Sequence, residues 1–219
     1  MKKARTQKNY KLLSPIEAIL KNSDVYVGVK NVNTDMDDIE QAFWCYYENG
    51  MLVPLYVIPA LWKLFDEIIV NCQDVWMKNK KDNLAPVTKV KIDIDWEKSS
   101  ITVWNDGAGV PVVKHDDASK ALKKDILCPE LVWFHLNSGD NFVGERTVGG
   151  KNGLGAKLAG VFSSYYKVKT SDGQKLFSKA AKENLRVQGK TSVKDTNKPP
   201  FTSVPVSYTH LTLPTICSV

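Results

Sequence analysis

Long apolar runs are missing from this 219-residue chain. No stretch approaches the ~20 residues of a membrane-spanning helix. The N-terminus is basic, through Lys2, Lys3, Arg5, Lys8 and Lys11, but no apolar segment follows it as a signal peptide requires. Cysteine is sparse: Cys45, Cys72, Cys128 and Cys217 lie far apart with no C-x-x-C. That spacing excludes a compact disulfide framework and points to reduced thiols in an intracellular compartment. No internal repeat is visible. Lysines are numerous but never blocked together. The net charge of +6 and pI near 9.0 therefore suit a polyanionic partner without singling out nucleic acid. What is present, 43% apolar and 25% charged residues, is ordinary for a soluble globular protein, and the length favours one domain.

Charge itself vanishes in one place. Residues 201–219 contain no Asp, Glu, Lys or Arg. The run Val-Ser-Tyr-Thr-His-Leu-Thr-Leu-Pro-Thr from Val206 looks like translated adaptor or vector sequence, so this stretch is expected to stand outside the fold as a non-native tail. A native transition into another domain is the competing view. Residues 1–11 read as a disordered basic tail, which leaves 12–200 as the folded domain.

The most informative stretch is 59–76. Pro59 suits a first helical position. Leu61, Leu64, Phe65, Ile68, Ile69, Cys72, Val75 and Trp76 then recur at steps of three and four, one apolar stripe of a helix. Glu67, Asn71 and Asp74 fall along one edge of that stripe. On the helix alone they could equally be the solvated flank of an amphipathic element. Upstream, Ser14 caps a short helix with Pro15 in its first turn. Residues 25–27 read as a short strand ending at Gly28. Residues 43–47 and 51–56 form a hairpin through Glu48-Asn49-Gly50. Downstream, 78–83 is an exposed Lys-rich loop. Residues 89–96 alternate, with Val90, Ile92, Ile94 and Trp96 on one face, and turn into a second strand at 101–104. A surface loop at 114–125 leads to a helix from about Pro129 to Leu136. A Gly/Asn/Asp-rich loop at 137–150, a helix at 153–163 and strands at 165–170 and 175–178 follow.

Two loops carry glycine in chemically suggestive positions. Asn105-Asp106-Gly107-Ala108-Gly109 follows a strand. It is turn chemistry, but an aspartate held there could also accept from the exocyclic amine of a base, with glycines letting backbone approach a flat ring. The second loop, Gly149-Gly150-Lys151-Asn152-Gly153-Leu154-Gly155-Ala156-Lys157, opens a helix. Free N–H groups, a helix N-terminus and Lys157 together make a phosphate cradle. It is not a Walker A loop, because Ala156 stands where lysine is required, and not a dinucleotide fingerprint, because Leu158 replaces the third glycine.

In order, Glu-x-x-x-Asn on a helix, Asp-Gly-x-Gly after a strand and a glycine lid entering a helix resemble the ATPase superfamily of gyrase, MutL, histidine kinases and the heat-shock chaperone. The fuller contexts Leu64-Phe65-Asp66-Glu67-Ile68-Ile69-Val70-Asn71, Val103-Trp104-Asn105-Asp106-Gly107 and Val148 through Leu158 resemble eukaryotic-type DNA topoisomerase II over residues 12–185. The fold this implies is α/β (α+β): a Bergerat-type two-layer sandwich, a mixed, largely antiparallel sheet with helices on one face. The cofactors implied are ATP and Mg²⁺. Glu67 matches the general base, and Asn71 the amide that holds Mg²⁺ and contacts ATP. Asp106 matches the adenine-reading carboxylate, with Asn105 and Gly109 beside the nucleotide. Gly150, Lys151, Asn152, Gly153, Leu154, Gly155, Ala156 and Lys157 match the lid. Asp74 would support the site.

The chain departs from that pattern. Where the family reads Thr-Ser-Ser-Asn-Tyr it has Ser138-Gly139-Asp140-Asn141-Phe142, and Gly139, Asp140 and Asn141 would still border the nucleotide. Two hydroxyls are lost and a carboxylate gained, which should weaken nucleotide affinity. Ala60 replaces a glycine. No segment supplies the family's second-domain lysine, its metal-binding cleavage domain or its tyrosine nucleophile, so a fragment is expected. In the whole enzyme the resemblance implies DNA and a second subunit as partners, no membrane, and a nuclear location, although a viral or protist source would read similarly. Three readings compete with an ATP-hydrolysing topoisomerase domain: a nucleotide-binding module without turnover, a mismatch-repair or chaperone member of the superfamily, and an α/β domain without ligand.

Overall fold

A computed structural model describes residues 12–28, 30, 43–56, 58–136, 138 and 154–208. Ser14 opens α1 (Pro15–Lys21) with a reciprocal cap: its hydroxyl accepts from the Glu17 amide while the Glu17 carboxylate accepts from the Ser14 amide. Asn22 then joins α1 to α2 (Ser23–Val27), which ends at Gly28 with φ 82°. The strand expected at 25–27 is thus a helical turn. Burial of Val27 and the bond from the Gly28 amide to the Asp24 carbonyl outweigh the strand preference of its β-branched residues. Strands β1 (Phe43–Glu48) and β2 (Met51–Tyr56) form the expected hairpin as a separate two-stranded sheet. Asn49 and Gly50 both take the positive φ that such a tight turn demands.

The central helix, α3 (Pro59–Lys81), runs a turn further than its apolar stripe predicts and absorbs the start of the expected Lys-rich loop. Lys78, Lys80 and Lys81 in its last turn complement the carbonyl end of the helix. Asn79 fixes that end: its buried amide donates to the Ala85 and Ala108 carbonyls at 2.8 and 2.9 Å. Beyond it come β3 (Val90–Asp95), β4 (Ser100–Asp106), α4 (Asp116–Leu122), α5 (Cys128–Phe134) and α6 (Gly155–Val161). The chain continues through β5 (Tyr165–Ser171), β6 (Lys175–Lys182), β7 (Val187–Gln188), β8 (Ser192–Asp195) and β9 (Phe201–Ser207). Helix α4 occupies the expected surface loop; the His115 ring accepts from the Ala118 amide and caps it.

The main sheet has seven strands in the order β3-β4-β9-β5-β6-β7, with β8 also on β6, and every described pair is antiparallel. Strand β9 lies between β4 and β5. The exclusion of residues 201–219 from the fold is therefore corrected for 201–208; residues 209–219 lie outside the described part. The missing charge of β9 has a plain cause: its alternate residues Thr202, Val204 and Val206 are buried at the centre of a sheet.

Inward residues of neighbouring strands share a phase. Ile101 and Val103 of β4 face Val206 and Val204 of β9, and Tyr166 and Val168 of β5 continue the layer. Leu64, Ile68 and Cys72 of α3, with Ala159 and Val161 of α6, cover that face. Leu64 is fully buried, and truncation to Ala would cost about 2–5 kcal/mol. One charged pair sits inside: Lys179 of β6 reaches Glu130 of α5 at 2.8 Å, each side chain only 5% exposed, and ties that helix to the sheet. Such a pair is costly to break rather than strongly stabilising in itself.

Candidate functional site

Asn105 and Asp106 are neighbours on β4, and strand alternation sends them to opposite faces. Asn105 is in phase with Ile101 and Val103, buried and facing α3. Its amide Oδ1 lies 3.4 Å from the Cys72 thiol, and its Nδ2 donates to the Asp106 carbonyl at 2.8 Å. Asp106 spends its carboxylate elsewhere. It accepts from the Thr88 and Lys89 amides at 2.7 and 2.8 Å and from the Thr88 hydroxyl at 2.5 Å. Burial opposes ionisation of Asp106, but the Thr88 hydroxyl and these amides outweigh it and hold the carboxyl below its ordinary range.

A narrow cavity opens beside Asn105. Its lining combines Asn71, Cys72, Asn105, Gly109 and Thr202 with an apolar set that includes Val103 and Trp133. Asp106 is not among its lining residues. Asn105, Thr202 and Thr170 form one row across β4, β9 and β5. The Thr170 and Thr202 hydroxyls are 3.0 Å apart. A side chain at Gly109 would place its Cβ 3.1 Å from both, so glycine keeps this corner open. Trp133 adds a buried indole N–H with no hydrogen-bond partner among the described residues, an unsatisfied donor of the kind a ligand or water usually completes. Burial raises the Cys72 thiol to about 11, so the thiol is protonated and can donate to Asn105.

The other end of the site is built on helices. Glu67 and Asn71 are one turn apart on α3, and the Asn71 amide N–H₂ donates to the Glu67 carbonyl. That bond leaves the Asn71 oxygen as the atom able to face a cation. Glu67 is half-buried, with Oε1 2.6 Å from the Lys63 ammonium. A Cβ added at Gly155 would stand 2.1 Å from Glu67 Oε2, so the first residue of α6 presses its bare backbone on the carboxylate. Leu154 precedes α6, and Ala156 is buried within it. Lys157 does not project as a free cation: it is 2% exposed and donates to the Ser138 carbonyl and hydroxyl. It thereby joins α6 to the segment following α5. Gly139, Asp140, Asn141, Gly150, Lys151, Asn152 and Gly153 lie outside the described residues.

Among the described residues no cluster of His, Cys, Asp and Glu could hold a metal without help. A cation here would need ligand oxygens of its own beside Asn71, as a nucleotide's phosphates supply. The donor set suits a nucleotide: amide, hydroxyl and indole groups around a narrow, mostly apolar cavity, then an amide and a carboxylate at a glycine-led helix start. Sequence reasoning missed Lys63, Cys72, Trp133, Thr170 and Thr202 as parts of this site. Lys63 was legible, four residues before Glu67 on the same helix. Thr202 was hidden in the uncharged stretch.

Sheet, central helix and glycine-led helix have the layout of the Bergerat-type ATP-binding fold. No protein-family model matches the chain. It is 32% identical to DNA topoisomerase 2 of Penicillium chrysogenum over 210 residues, which cover 93% of this chain and 12% of that protein. It is 36% identical to DNA topoisomerase 2 of Arabidopsis thaliana over 170 residues, 76% of this chain and 10% of that protein. The crystal structure of the ATPase region of Saccharomyces cerevisiae topoisomerase II superposes with a TM-score of 0.77 at 25% identity, covering 93% of this chain and 51% of that one. The ATPase and transducer domains of DNA topoisomerase II from Balamuthia mandrillaris give the same TM-score at 24% identity, covering 98% and 54%. The chain belongs to the DNA topoisomerase II family and corresponds to part of its ATPase region. It spans about an eighth of the length of the curated relatives it matches.

Proposed function

We propose that this chain binds ATP with Mg²⁺ and forms the nucleotide-binding part of an ATP-hydrolysing type II DNA topoisomerase. The carrying observation is that Asn105 and Asn71 line one cavity, while Glu67 stands one turn before Asn71 on α3 with Gly155 against its carboxylate. When bound, the Mg²⁺-nucleotide supplies an electrophilic γ-phosphorus and a stabilised leaving group. The chain's own groups do the rest. Asn105, rather than Asp106, presents an amide to the base, and the Cys72 thiol and the Asp106 carbonyl fix its orientation. Asn71 offers its amide oxygen to the cation, because its N–H₂ is spent on the Glu67 carbonyl. Glu67 accepts the proton of the attacking water at a carboxylate oxygen, and the Lys63 ammonium, 2.6 Å from Oε1, orients that carboxylate. Leu154 and Gly155, at the start of α6, bring backbone N–H groups to the phosphates.

Lys157 takes a different part from the one its motif suggests, locking the Ser138 segment to α6. In the whole enzyme, nucleotide binding would close a gate between two subunits around DNA, in the nucleus. The test is steady hydrolysis by the chain and its loss in Glu67→Ala. A second reading, binding without turnover, is favoured by one feature: Glu67 has one oxygen on Lys63 and the other hard against Gly155. Heat protection by Mg²⁺-ATP with no hydrolysis above the Glu67→Ala background would select it.

A further inference from the structure

Strand β3 is an edge of the main sheet, paired only with β4 among the described residues. It is exposed along nearly its whole length, and the helices do not cover it: Val90, Ile92 and Ile94 are 44, 46 and 38% exposed, and Trp96 just beyond is 56% exposed. These apolar residues are in register with the buried Asn105, Val103 and Ile101, so they lie on the helix-covered face of the sheet, past the end of the cover. An apolar edge of this kind is a template for another strand.

The backbone and the charges specify which strand. Lys89 and Asp106 are directly opposed and hydrogen-bonded, the Asp106 amide donating to the Lys89 carbonyl. Antiparallel alternation then turns the N–H and C=O groups of residues 89, 91, 93 and 95 toward β4 and those of Val90, Ile92 and Ile94 outward. The sequence along the edge is Lys89-Val90-Lys91-Ile92-Asp93-Ile94-Asp95. Placed antiparallel to itself about a two-fold axis at Ile92, it complements itself at every position. Ile92 meets Ile92 and Val90 meets Ile94, in the hydrogen-bonded sites that face outward. Lys91 meets Asp93 and Lys89 meets Asp95, in the non-bonded sites where side chains approach most closely. Slipping the axis by one residue, to Asp93, opposes Asp93 to Asp93 and drops the Lys89–Asp95 match. Within the chain, Lys91 lies over the Trp104 ring and Asp95 holds Lys98, so the Lys91–Asp93 pair tests the register most cleanly.

We propose that β3 is a homophilic docking edge: a second copy of this chain pairs with it about Ile92 and joins the two main sheets into one. This contact is independent of nucleotide and separate from the gate proposed above. The test is sedimentation equilibrium of the 219-residue chain over a wide concentration range, without nucleotide or Mg²⁺. The expected result is a monomer–dimer equilibrium, weakened by salt. K91E places like charges against Asp93 of the other copy, and D93K places them against Lys91. Each variant alone is expected to weaken the dimer roughly tenfold or more. An equimolar mixture of the two opposes only unlike charges at these sites, and is expected to restore the dimer as a mixed species. That recovery also shows that both variants fold. A chain monomeric at every concentration overturns the proposal. So does a dimer that neither variant weakens, or a mixture that stays monomeric while both variants keep the circular dichroism of the parent.

Discussion

The sheet-borne end of the candidate site and its helix-borne end are held by different means. Asn105, Thr202 and Thr170 form a row fixed by strand register, and their polar groups are tied to backbone, to the Cys72 thiol or to one another within 2.8–3.4 Å. Moving any one of them requires breaking the ladder. Glu67, Lys63, Gly155 and Lys157 are set by an ion pair, a bare glycine contact and a lysine reaching the Ser138 segment. None of these contacts belongs to a strand ladder. The rigid end is suited to recognition. The adjustable end is suited to chemistry, where the ion pair must yield to a reacting water.

Substitutions can break that contrast, the largest effect coming from the adjustable end. Glu67→Gln keeps the shape and removes the base. Hydrolysis should fall by about 10²–10⁴-fold while affinity for a non-hydrolysable ATP analogue changes only a few-fold; a parallel loss of affinity would place Glu67 in binding instead. At the rigid end, Asn105→Ala should weaken nucleotide binding by roughly 10- to 100-fold, because it leaves buried partners unpaired. Asp106→Ala should leave affinity nearly unchanged and lower the melting temperature. Equal effects on affinity would mean that Asp106 does read the base.

A smaller effect sharpens the same distinction through pH. The folded-state pKa of Asp106 is lowered, so its contribution to stability is present above the unfolded carboxyl range and is lost as pH falls through the folded value. Acid melts of Asp106→Asn should therefore start from lower stability at neutral pH and approach the parent's as pH falls below about 4. The smallest effect is expected at Cys72. Its thiol, raised to about 11, should react slowly with iodoacetamide at neutral pH, and more slowly still with nucleotide bound. Rapid, unprotected alkylation would remove Cys72 from the cavity wall.

The helix-borne end was the more legible in sequence. A 3.6-residue period is local, so the stripe from Leu61 to Cys72 located α3 and aligned Glu67 with Asn71 before any partner was known. The sheet-borne end depended on non-local pairing. Asn-Asp-Gly reads as a turn, and the motif drew attention to the charged residue. Yet Ile101, Val103 and Asn105 share a parity, and that parity already assigned the inward position to Asn105. Thr202 needed β9 as a partner strand, and a run without charge looked foreign because its neighbours in the sheet were out of sight. The helical turn at Val25–Val27 was invisible for the same reason: burial against the core decided it, not propensity.

The most direct measurement of the nucleotide-site claim is calorimetric titration of a non-hydrolysable ATP analogue into this chain, with and without Mg²⁺, alongside Asn71→Ala. The expected result is Mg²⁺-dependent binding whose metal dependence disappears in Asn71→Ala while that variant remains folded. Absence of binding to a chain with an intact cooperative melt, or binding indifferent to both Mg²⁺ and Asn71, would contradict it.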